Sequence, residues 1–217
     1  MIMNLNLNSQ IMKIKYRRSR NILLPPKILI LCEGESEIIY LKGFQSEEKH
    51  RRKLSRVKVE LYQPDDYSPY GLLTEAKKKA REAIKERYAY DQVWIVFDRD
   101  GHANIPKTFD EAYDAYVKIA FSLICFEYWI LLHFEKTRRH FYDCDSLVHY
   151  IEDQKYIIDY SKTNYYSKIK DLQEGAIKNA LWLHAQNESD LSRGIKIYKL
   201  PAYTSFNDLF IALQKLL

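Results

Sequence analysis

Apolar residues recur along the chain in two textures. Unbroken runs such as "KILILC" (27–32) and "QVWIVF" (92–97) have the form of strands covered on both faces. "VKVELY" (57–62) alternates like a half-buried strand, and "KIAFS" (118–122) reads as a fourth. Between them, "LLTEAKKKAREAIKERY" (72–88) and "TFDEAYDAYV" (108–117) space their apolar positions as helices do. A shorter helix is expected from Ser36 to Phe44 with Ser36 as its N-cap. "PDDYSPYG" (64–71) reads as a loop. This β-α-β-α-β order predicts an α/β fold with a mostly parallel sheet flanked by helices. Further on, "CFEYWILLHFEK" (125–136) predicts a helix, and about 138–190 reads as mostly helical. "IKIYKL" (195–200) is expected to be a last strand and "FNDLFIALQKL" (206–216) a closing helix.

Residues 1–26 stand apart as a polar, basic arm closed by Pro25-Pro26, which leaves 27–217 as a single domain. The arm holds Lys13, Lys15, Arg17, Arg18 and Arg20 with no acid before residue 21, and so accounts for the whole net charge of +5. A second basic cluster, "KHRRKLSRVK" (49–58), offers Lys49, Arg51, Arg52 and Lys53 as contacts for a nucleic-acid backbone. The bases at 77–87 alternate with Glu82 and Glu86, the pattern of a solvated helix face with i,i+4 pairs. No apolar run is long enough to span a bilayer, and the N-terminus shows no signal-peptide core, so a cytoplasmic protein without a membrane partner is expected. Cys32, Cys125 and Cys144 lack CxxC spacing and are expected to be reduced, two of them inside apolar runs.

The chemistry concentrates where two apolar strands run into acid. "ILILC" ends in Glu33-Gly-Glu-Ser-Glu37, and "IVF" ends in Asp98-Arg-Asp100-Gly. In open α/β sheets ligands bind beyond the carboxyl ends of the strands. Asp98 and Asp100, two residues apart, can point the same way. Converging carboxylates repel unless a cation compensates, and Mg²⁺ or Mn²⁺ takes such oxygen ligands. Acids after a strand also serve merely as turn and cap residues. "GESE" is too poor in glycine for a phosphate-cradling loop.

"ILCEGESEIIYLKGF", "VWIVFDRDG" and "FSLICFEYWILLHFEK" together resemble the RloB-like family, a Toprim-related group of bacterial abortive-infection and anti-phage loci. The resemblance runs from about Lys27 to Leu217 and is most specific at "FEYWILLHF". It implies a Toprim-like fold and a Mg²⁺- or Mn²⁺-dependent nuclease acting on DNA or RNA. Glu33, Asp98 and Asp100 would be metal ligands. Glu33 would also serve in acid–base catalysis, and Glu37 matches the second glutamate of the first motif. It further implies an ABC/SMC-type ATPase partner, with self-association open. Where the family shows Ser-Asn-Pro before Phe-Glu, this chain has Ser122-Leu123-Ile124, and in the closing segment "PAYTSF" only Thr204 matches.

Glu127, inside that block, is open to two readings: a residue favoured by the helix N-terminus, or a further group at the metal edge. His133 lies about 240° around the helix from it, so the two are not expected to share a face. It is either a core residue or a further active-site group. The tyrosines and lysines around 160–170 can stack bases and neutralise phosphates, or simply form a surface. The alternative to a nuclease is a non-catalytic nucleic-acid-binding or sensor subunit working with the ATPase.

Overall fold

The computed structural model describes residues 24–54, 57–99, 101–102, 104–163 and 165–215. The chain begins with β1 (Lys27–Cys32), α1 (Glu35–Ser46), α2 (Glu48–Leu54), β2 (Lys58–Tyr62), α3 (Pro69–Lys85) and β3 (Gln92–Asp98). α4 (Ile105–Asp114), β4 (Lys118–Ser122), α5 (Glu127–Leu131), α6 (Cys144–Asp153), α7 (Tyr166–Ile169), α8 (Gln173–Ser192) and α9 (Phe206–Gln214) follow. The four strands form one parallel sheet in the order β2-β1-β3-β4. Flanking helices and the helical C-terminal part complete the α/β, Toprim-like layout that the sequence led us to expect. Most of the basic arm lies outside the described residues.

β1 is buried at all six positions because both its faces carry a layer. Ile28, Ile30 and Cys32 join Trp94, Val96 and Ala120 under a layer built from α1, α5 and the C-terminal helices. Leu29 and Leu31 join Val93, Ile95, Phe97 and Phe121 under α3 and α4. Tyr40 of α1 is the hub of the first layer, its ring edge-on to Trp129, Phe206 and Phe210. At the amino end of the sheet, Lys27 is 4% exposed. Its N–H donates to Asp91 Oδ2 (2.9 Å), and its Nζ sits 3.5 Å from Glu60 and 4.2 Å from the centre of the Tyr90 ring.

Several local expectations are revised. α1 starts at Glu35 with Gly34 as its N-cap, because the Ser36 hydroxyl is drawn away to Glu127. α3 begins inside the expected loop, at Pro69, with the Ser68 hydroxyl accepting Gly71 N–H (3.1 Å). The helix expected over 125–136 lasts only from Glu127 to Leu131. Beyond it the bonds tighten to three-residue spacing, His133 N–H to Ile130 O (3.0 Å) and Phe134 N–H to Leu131 O (2.9 Å).

"IKIYKL" is not a strand. Ile197–Lys199 form a 3₁₀ turn, and Ile195, Ile197, Tyr198 and Leu200 pack on the α3/α4 layer. Thr204 instead makes one antiparallel bridge to Ser122 of β4, with the two hydroxyls 2.9 Å apart. The expectation of reduced cysteines is also overturned for one pair. Cys125 and Cys144 form a disulfide across 19 residues, while Cys32 is free and buried. No helix among the described residues is long and apolar enough to cross a membrane.

Candidate functional site

The strand order reverses direction at β1, which has β2 on one side and β3 on the other, so the switch point lies between β1 and β3. Glu33 leaves the sheet one residue after β1, its N–H donating to Val96 O (2.9 Å), and Asp98 is the last residue of β3. Asp98 N–H donates to Glu33 Oε2 (3.1 Å), which locks the two strand ends together. Glu33 Oε1 lies 2.7 Å from His102 Nε2, brought back by a turn in which Gly101 adopts φ +67°.

Glu37 sits one helical turn beyond Glu33 and is 3% exposed. Its carboxylate folds against Gly34, where an added Cβ would meet Oε2 at 2.5 Å, so a glycine is needed to admit it. Burial pushes the Glu37 carboxyl up to about 8. Its own backbone N–H opposes that shift, the Glu127 and Glu33 carboxylates add to it, and Lys162 opposes it. Glu127, the first residue of α5, is 4% exposed. Its Oε1 accepts hydrogen bonds from Tyr160 (2.7 Å) and Ser36 (3.3 Å), and its Oε2 lies 3.4 Å from Cys144 Sγ. A disulfide sulfur carries no proton, so this last approach is a contact rather than a hydrogen bond.

Glu33, Glu37, Asp98 and Glu127 all line one cleft of about 970 Å³ at this edge of the sheet, and Lys162 and Tyr160 line it too. Four carboxylates from three segments thus converge. A proton held on Glu37 is one way to relieve their repulsion, and a bound cation is another. Hard oxygen donors of this kind suit Mg²⁺ or Mn²⁺. Glu33 and Asp98 would be two of its ligands. Asp100, the expected third, lies outside the described residues. Among the described residues, the group whose ligand atoms all lie within 4.8 Å of one another is Cys125, Glu127 and Cys144, not a carboxylate trio.

His133 is not brought to this cleft. It is 5% exposed, with Nε2 3.1 Å from the Tyr40 hydroxyl and Nδ1 2.9 Å from Trp129 O, and burial lowers its pKa to about 4. Lys49 and Arg51 sit on α2, beyond the far end of α1. α1 itself, with 12 residues, is about 18 Å long. The Lys49 Nζ pairs with Glu47 at 2.9 Å. The side chains of Arg52 and Lys53 lie outside the described residues.

Sequence reasoning missed His102, although it closely follows the Asp98-x-Asp100 motif, and it missed Ser36 as a partner of Glu127. Of the tyrosines around 160–170, Tyr160 reaches the cleft. Tyr165 is buried and donates to Ser36 O, while Tyr166 donates to Glu47. The sequence profile of one family, described as RloB-like protein, matches residues 28–209. No curated protein and no solved structure matches the chain.

Proposed function

The chain belongs to the RloB-like family, and on that premise we propose that it is a metal-dependent nuclease that cleaves phosphodiester bonds of DNA or RNA, the effector of an anti-phage system under an ABC/SMC-type ATPase. The observation that supports this reading is the Asp98 N–H to Glu33 bond across β1 and β3, which anchors the Glu33 carboxylate at the switch point, in a cleft that Asp98 also lines. Glu33 and Asp98, with Asp100, would hold Mg²⁺ or Mn²⁺, and such an ion supplies charge stabilisation at phosphorus and an activated water. Glu37, whose carboxyl burial raises to about 8, would hold a proton at neutral pH before a cation enters, and with a cation beside it would release that proton more readily to a leaving oxygen. Glu127, held by Tyr160 and Ser36, keeps the cleft wall in place and sustains the high pKa of Glu37. Lys49 and Arg51, beyond the far end of α1, would take backbone phosphates further along a duplex.

One observation favours the second reading, a binding or sensor subunit without cleavage. Both Glu33 oxygens already have a hydrogen-bond partner, His102 and Asp98 N–H, which offsets part of the charge that a cation would otherwise compensate. The deciding experiment incubates end-labelled single- and double-stranded DNA and total tRNA with wild type and Asp98→Ala, in EDTA, Mg²⁺ or Mn²⁺, with and without the ATPase. Cutting that requires both metal and Asp98 supports the nuclease. Cutting that ignores Asp98→Ala, or nucleic-acid binding without cutting even with the ATPase, refutes it.

A further inference from the structure

The Cys125–Cys144 pair belongs to neither reading above, and both residues line the cleft. We infer that, once this disulfide is reduced, Cys125, Cys144 and Glu127 form a site for one soft divalent cation, Zn²⁺ by its ligand chemistry, in the wall of the cleft. Their ligand atoms already lie within 4.8 Å of one another. A tetrahedral Zn²⁺ with sulfur at about 2.3 Å and carboxylate oxygen at about 2.1 Å sets those two ligands roughly 3.6 Å apart. Cys144 Sγ and Glu127 Oε2 stand at 3.4 Å. The two sulfurs must part, to roughly 3.8 Å, and Cys125 Sγ, within 4.8 Å of the Glu127 carboxylate, must settle at roughly 3.6 Å from it, both side-chain adjustments.

Three further features point to the same use. Glu127 Oε1 is fixed by Tyr160 and Ser36, which leaves Oε2 turned towards the sulfurs. Outer hydrogen bonds of this kind orient metal ligands. Cys144 is the first residue of α6, whose start is set by the Asp143–Ser146 capping box. Cys125 follows Ile124, a β-branched residue at φ +75°. That conformation costs about 1–2 kcal/mol and persists only where the surroundings impose it. Here it immediately precedes the cysteine that meets Cys144.

Thiolates select Zn²⁺ over Mg²⁺, so this site and the Glu33/Asp98 pair take different ions. Three protein ligands leave one position open to the cleft for water or a ligand. The chemistry balances in two steps. Two equivalents of a small thiol reduce the disulfide and leave as one disulfide of their own. Zn²⁺ then displaces two protons from the two cysteine thiols. The inference is independent of cleavage, since it is read by binding alone.

The test uses the full chain after mild native reduction, with thiols counted before and after. Zn²⁺ affinity is measured by competition with a chromogenic chelator, and Co²⁺ is substituted to look for thiolate charge-transfer absorption. The expected result is one ion per chain with that absorption. Binding should vanish in the oxidised wild type and in the Cys125→Ser/Cys144→Ser variant, and weaken about tenfold or more in Glu127→Gln. Cys32→Ser, whose sulfur lies in the core, should bind as wild type does. Thermal melts check that each variant folds, and the oxidised wild type supplies a control with no substitution. A pair that resists native reduction, a reduced protein without stoichiometric Zn²⁺, or binding that survives loss of both cysteines would each overturn the inference.

Discussion

Replacing Glu37 by Gln should convert a pH-dependent stability into a nearly flat one. In the folded chain burial raises this carboxyl from 4.5 to about 8. Below about pH 4.5 both folded and unfolded states hold the proton, and Glu37 is no liability. As pH rises through the window from 4.5 to 8 the unfolded chain releases the proton while the folded chain keeps it. Stability therefore falls, by up to about 1.4 kcal/mol per pH unit, and levels off above 8. Between pH 5 and 8 the integrated loss is roughly 3.5 kcal/mol. Glutamine matches the protonated carboxyl in shape and never titrates, so the loss is absent from Glu37→Gln. In urea titrations in EDTA, the variant's midpoint should gain on wild type by roughly 1–3 M between pH 5 and 8. Other groups titrate in both proteins and cancel in the difference. Adding Mg²⁺ should shrink the gap, because a cation in the cleft favours the ionised carboxylate. A gap that stays constant within about 1 kcal/mol across this range would refute the assignment of Glu37 as a buried, protonated acid.

Two other substitutions test neighbouring parts of the argument. Tyr160→Phe removes a 2.7 Å donor to a buried carboxylate and should cost about 1.5–3 kcal/mol in a denaturant melt; an unchanged midpoint would mean that Glu127 does not need it. Lys49→Ala with Arg51→Ala should lower the slope of log affinity against log salt for duplex DNA by about 2. An identical slope would remove α2 from the nucleic-acid interface.

The sheet was legible because its central strands are apolar on both faces. "KILILC" and "QVWIVF" have no helical reading at that length between turn residues. "IKIYKL" shows the limit of the same signal. Its alternation is real, but Gly194 at φ +83° precedes it and Pro201 follows, and the alternating side chains serve packing rather than pairing. Strand polarity put Glu33 and Asp98 at one edge of the sheet, whereas Glu37 came from the resemblance alone and Glu127 was open between two readings. What holds them was not legible. Ser36 looks like a helix cap by position, and only a partner 91 residues away makes it a donor to Glu127. The meeting of Cys125 with Cys144 depends on the left-handed turn at Ile124, which no spacing announces. His133 was a matter of burial, which the texture around it favoured without locating its partner Tyr40.

The contacts at the two ends of β1 bear on how the chain finds its native alignment. A strand buried on both faces cannot be positioned by hydrophobicity, since sliding it one residue exchanges one set of aliphatics for another. Slippage of "KILILC" would trade Ile for Leu at little cost within the strand. It would, however, either tear the buried Lys27 from its partners or drag Glu33 into the interior, and an unpaired charge there costs several kcal/mol. Lys27, held by Asp91, Glu60 and Tyr90, and Glu33, held by Asp98 N–H, therefore act as stops at opposite ends of a featureless rail. The acid that makes the cleft is also part of what tells the central strand where to stand.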